Sequence, residues 1–124
     1  MENGKKNWFI VDGYLPYANA VRDVDFAGHE AVMLLNCNEQ DAHVLLDFYF
    51  EDRPPYKGVP VTVSAERVLC LRMDHPGDIG GLKLERQQQY SLRVRSDQNI
   101  IVQYGRMDIA QPNLAYIGLM GYHE

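Results

Sequence analysis

An all-β fold, a single-domain β-sandwich or jelly roll of about eight antiparallel strands, is predicted for this 124-residue chain by three observations. Short runs rich in β-branched and aromatic residues alternate with period two. The cleanest covers residues 42–51, where Val44, Leu46, Phe48 and Phe50 share one face and Asp47 and Glu51 take the other. Clusters of Gly, Pro, Asn and Asp separate these runs. Helical periodicity is missing throughout; residues 82–89 hold one helical turn at most.

The elements follow in chain order. Residues 8–11 are β-formers that stop at Asp12-Gly13. Residues 29–35 make a second strand, closed by the polar turn 36–41. The alternating strand 42–51 ends in the turn residues 52–58. Val59, Val61 and Val63 then alternate with Pro60, Thr62 and Ser64; Pro60 places this strand at an edge, because it cannot donate to a ladder. Residues 67–73 form another strand, followed by the irregular loop 74–81. Residues 90–95 and 100–106 read as a hairpin around Ser96-Asp97-Gln98-Asn99, with Leu92 opposite Tyr104 and Val94 opposite Val102. The last strand covers residues 115–122.

Composition narrows the function. Hydrophobic content of 46% and charged content of 23% are ordinary for one folded domain over residues 1–124. A net charge of -5 argues against phosphate-driven nucleic-acid binding, Arg93 and Arg95 being the best local basic patch. Cys37 and Cys70 lie in or beside apolar strands, where free thiols are expected to act as small hydrophobes. No signal-peptide core is present, and apolar runs of about five residues fall far short of the roughly 20 in a spanning helix. The expected location is the cytoplasm.

The polar residues are more telling than the composition. In the run Ile101-Val102-Gln103-Tyr104-Gly105-Arg106-Met107-Asp108, a buried strand delivers Gln103, Arg106 and Asp108 to its exit. Arg106 and Asp108 point to the same side of an extended chain, where they hold each other or divide a polar ligand. His29-Glu30 opens an apolar strand that ends at Asn36. These two neighbours face opposite ways and cannot share one ion. His29 and His43 also fail as a metal pair: if the strands flanking 36–41 formed a hairpin, they would lie on the order of 20 Å apart. There is no nucleophile elbow, no phosphate loop and no metal-ligand spacing, so neither enzyme activity, a metal nor a cofactor is expected. Trp8, Tyr14, Tyr17, Tyr104 and Tyr122 offer flat surfaces for a sugar ring, although core packing is the commoner use of such residues.

Taken together, Trp8 with Gly13-Tyr14 and Pro16, His29-Glu30 before an apolar strand and Asn36, Asp41-Ala42-His43, and Val102-Gln103-x-x-Arg106-x-Asp108 resemble the sensory rhodopsin transducer family. The resemblance runs from Trp8 to His123, with the motifs in matching order. It implies a sandwich of jelly-roll type assembled as a homotetramer, and a non-enzymatic signalling role. The partner would be a small polar ligand such as a sugar or sugar acid, or a membrane receptor such as a sensory rhodopsin. Carried over, His29, Glu30, Asn36, Gln103, Arg106 and Asp108 are the expected ligand-binding residues, with Trp8, Tyr14, Arg67 and Arg72 as secondary candidates. Residues 18–28 and 77–89 depart from the family pattern.

Overall fold

The computed structural model describes residues 3–18, 28–109 and 115–124. Eight strands make one continuous antiparallel sheet: β1 (Lys5–Tyr14), β2 (His29–Asn36), β3 (Ala42–Phe50), β4 (Tyr56–Val63), β5 (Arg67–Arg72), β6 (Gln89–Asp108), β7 (Ala115–Met120) and β8 (Tyr122–His123). The expected all-β class is therefore observed. The alternation in β3 is observed too, with Ala42, Val44, Leu46 and Phe48 buried. Pro60 lies on an edge as anticipated, since β4 pairs only with β3. One short 3-10 turn, Pro76–Asp78, opens on a proline; residues 82–89 contain no helical turn.

The expected hairpin over residues 90–106 does not form. Those residues lie within a single 20-residue strand, β6, which serves two halves of the sheet. Its first half lies between β1 and β3, with Leu92 opposite Ile10 and Phe48. Its second half lies between β2 and β7, with Tyr104 opposite Val32 and Leu119. Ser96-Asp97-Gln98-Asn99 marks the corner between the halves. On β1, Lys5 faces Ile100 while Asn7 faces Arg95, so β6 carries surplus residues here. Polar side chains tie the corner down. Asp97 accepts from the His43 amide at 2.8 Å, Asn38 donates to the Asn99 carbonyl at 2.8 Å, and the Trp8 indole donates to the Ile100 carbonyl at 3.1 Å.

The two halves enclose a single core. Its buried cluster draws Trp8, Leu46, Leu92 and Val94 from one half and Val32, Leu34, Leu71 and Val102 from the other. No hairpin joins β2 to β3: β2 pairs with β5 and β6, and β3 with β4 and β6. Cys37 and Cys70 are free thiols and exposed, which corrects the expectation that they pack as small hydrophobes. Cys70 takes the outward alternation of β5, opposite Met33 of β2.

Candidate functional site

Among the described residues, Glu30 is the charged residue most completely removed from water, with no exposed surface. It stands at the inward-facing end of β2, in line with the buried Val32, Leu34 and Asn36. A buried carboxylate survives only with donors around it. The Tyr14 amide and the Tyr90 hydroxyl each donate to it at 2.8 Å, and the Tyr104 hydroxyl donates to the same oxygen as the Tyr14 amide. Arg106, opposite Glu30 in the β2–β6 ladder, approaches that oxygen through Nε at 3.4 Å and donates to the Tyr104 hydroxyl oxygen at 2.9 Å.

Both halves of β6 supply this centre, Tyr90 from one end of the strand and Tyr104 with Arg106 from the other. β1 contributes through a bulge: Ile10 faces Leu92 while Gly13 faces Tyr90, so β1 holds one extra residue. The bulge brings Asp12 to Arg106, whose Nη2 donates to the Asp12 carbonyl at 3.2 Å and lies 3.7 Å from its carboxylate. Gly13 is needed here because a Cβ would fall 2.5 Å from the Tyr90 ring. The guanidinium also lies 5.7 Å from the Tyr14 ring centre and 5.8 Å from that of Tyr104.

Burial raises the Glu30 carboxyl above its ordinary value, against the opposing pull of the Tyr14 amide, the Tyr90 hydroxyl and Arg106. The Tyr90 hydroxyl is held well above its ordinary range by burial and then by the neighbouring Glu30 charge, so it stays a donor. Beyond Arg106 the centre opens into a cavity of about 110 Å3 lined by Asp12, Tyr104, Arg106, Ile117 and Leu119. A second cavity of about 180 Å3 shares Asp12, Tyr104 and Leu119 with it.

The remaining sequence candidates divide by position. His29 and Asp108 lie close to the centre in the ladders, opposite Met107 and Ala115 respectively. Asn36 lies at the far end of β2, roughly 20 Å from Glu30 at about 3.4 Å per residue. Its amide donates to the Gln40 and Val63 carbonyls and its oxygen accepts from Asn38, so it organises the loop that leaves β2. Arg67 faces Asn36 at that same end, and its guanidinium donates to the Glu66 carbonyl. Arg72 is held by Asp74 through two bonds of 2.7 Å, Gln103 is exposed, and Trp8 is buried with its indole donating to backbone carbonyls. Asp12 and Tyr90 were not among the candidates. Tyr90 was legible in principle: a tyrosine in the inward row with Leu92 and Val94 needs a buried acceptor. Asp12 was not, because only the bulge aims it at Arg106.

The model of the Anabaena sensory rhodopsin transducer family matches residues 3–123. The chain belongs to this family. Its fold is similar to that of Thermotoga maritima 1070, with a TM-score of 0.84 and 27% identity over 98% of this chain and 97% of the other. It is also similar to the Anabaena sensory rhodopsin transducer itself, with a TM-score of 0.71 and 28% identity over 84% of this chain and 89% of the other. No curated protein is significantly similar to it in sequence. Of the two stretches that set the transducer-family chain apart from the pattern, residues 19–27 lie outside the described residues.

Proposed function

We propose that this transducer-family chain is a soluble, cytoplasmic, non-enzymatic signalling module that senses a small polar ligand, a sugar or sugar acid, at the mouth of the Glu30–Arg106 centre. The observation that carries this reading is the state of Arg106. Its Nε and Nη2 are committed to Glu30, Tyr104 and Asp12, while Nη1 has no partner among the described residues and the side chain lines the cavity. A guanidinium fixed at Nε and Nη2 and lining a cavity is organised in advance for hydroxyl or carboxylate oxygens. Asp12, largely exposed beside it, is an acceptor for sugar hydroxyls.

The test is a thermal-shift screen against sugars, sugar acids and nucleotides. A ligand at 100 times its Kd is expected to add about 2.7 kcal/mol of stability. Arg106→Ala should abolish the shift. Asp12→Asn should weaken it while leaving the buried Glu30 network in place. A shift that persists in both variants would refute this location.

A second reading, direct contact with a membrane receptor such as a sensory rhodopsin, is supported by the likeness to the Anabaena transducer. It gains weight if the screen is flat and the protein binds receptor-containing liposomes. Both readings accommodate a homotetramer. The exposure of β7 supports self-assembly: Tyr116, Ile117, Leu119 and Met120 are all more than half exposed on a strand that, among the described residues, pairs with β6 alone.

A further inference from the structure

A separate cavity of about 610 Å3 lies away from Arg106, beside the end of β5. Leu15, Met73 and Leu84 lie beneath it, each almost wholly buried, so its accessible lining is mixed polar and apolar. Its rim is charged, with Asp74, Lys83, Glu85 and Arg86. That volume falls within the roughly 300–1,000 Å3 range of small-molecule sites, and an apolar body with a few convergent polar groups is their usual lining.

The rim's charges cancel only in part, because Asp74 is shared by Arg72 and Arg86. Asp74 spends both carboxylate oxygens on Arg72, at 2.7 Å each. Arg86 Nη2 lies 3.7 Å from one of those oxygens, beyond hydrogen-bond reach. Arg86 is nevertheless fixed, because its Nη1 donates to the Pro16 and Gly28 carbonyls at 2.8 Å each. The edge formed by Nε and Nη2 is left without a hydrogen bond among the described residues. Lys83, also on the rim, has no ion pair among the described residues, whereas Arg86 shares Asp74 with Arg72 at longer range. Glu85 lowers the local positive charge and accepts from Gln88 at 2.8 Å.

We infer that this cavity binds a small monocarboxylic acid, its carboxylate received by the Nε–Nη2 edge of Arg86 with Lys83 beside it, and its carbon body lying on Leu15, Met73 and Leu84. A guanidinium edge matches a carboxylate with two parallel bonds. With Asp74 neutralised by Arg72, the remaining rim charge is two cations and Glu85, a balance suited to one negative charge. The same acids disfavour a dianion such as phosphate. This site is independent of the Arg106 reading, and it links its occupant to the residue that ties the end of β1 to the approach to β2.

The experiment is an amide NMR titration of the full chain with acetate, butyrate, hexanoate and inorganic phosphate. Saturable shifts are expected at Asp74, Leu84 and Arg86 with the carboxylates, tightening by up to about fourfold for each added CH2 that is buried. Lys83→Glu, at an exposed position outside the core, should weaken butyrate binding about tenfold without altering the fold. The inference is overturned if the carboxylates give no saturable shift at these amides, if phosphate binds there more tightly than butyrate, or if Lys83→Glu has no effect.

Discussion

Glu30 sets the stakes at the scale of single residues. Replacing it with alanine would leave the Tyr90 and Tyr104 hydroxyls and the Tyr14 amide without their acceptor in a dry environment. Breaking a buried charge network in this way costs about 3–5 kcal/mol. Tyr90→Phe removes one donor and should cost about 1–2 kcal/mol. Urea unfolding of the two variants checks the order. Glu30 and Asp47 should pull the pH profile in opposite directions. Burial raises Glu30, so its contribution is full below its unfolded value near 4.5 and is lost as pH rises through the folded value. For Asp47, burial acts upward but the Arg95 hydrogen bonds and the Gly58 amide outweigh it, so its carboxyl lies below its ordinary 3.8. Its contribution is present above 3.8 and is lost as pH falls through the folded value. Stability measured against pH should therefore lose part of its acid limb in Asp47→Asn, and part of its decline above 4.5 in Glu30→Gln.

Among the elements, β6 does the most to place the site. A hairpin would have put Leu92 against Tyr104; the continuous strand instead carries Tyr90 to one end and Tyr104 with Arg106 to the other. The sheet then folds over at the corner so that both reach Glu30. Ser-Asp-Gln-Asn carries turn chemistry, and the same residues suit a strand corner, where unpaired backbone is met by side chains. What local sequence does not encode is whether the chain reverses or bends. That depends on β1 and β2, distant in sequence, occupying the flanks. The bulge in β1 offers a direct test. Gly13→Ala would press a Cβ into the Tyr90 ring, a rigid buried group, and should cost about 1–3 kcal/mol as overpacking. Gly105→Ala would meet the Tyr116 hydroxyl and the ring carbons next to it, the far end of an exposed side chain that can swing away, and should cost less than Gly13→Ala. Equal losses in thermal unfolding would contradict the proposed role of the bulge.

For the whole molecule, the open question is what covers β7. Five apolar side chains along β7 and β8, Tyr116, Ile117, Leu119, Met120 and Tyr122, are more than half exposed in the single chain. If β7 is the self-assembly surface, Tm should rise with protein concentration. Leu119→Lys should lower the mass seen in sedimentation and remove that concentration dependence. A wild-type chain that sediments as a monomer would refute assembly through this strand.

Much of the architecture was already fixed locally. Period-two patterning in β3, the proline at the edge of β4 and the turn clusters specify an all-β chain, because they act on neighbours along the strand. The family motifs marked Glu30 and Arg106 for the same reason: each is a polar residue at the end of an otherwise apolar strand. Tertiary structure decided the rest. It joined two predicted strands into β6, and it set Arg67 opposite Asn36, at the end of β2 remote from Glu30. It drew Asp12 and Tyr90 into the centre, and turned Cys70 outward. Those outcomes depend on which distant strands pair and on a bulge that shifts register, and a one-dimensional pattern carries neither.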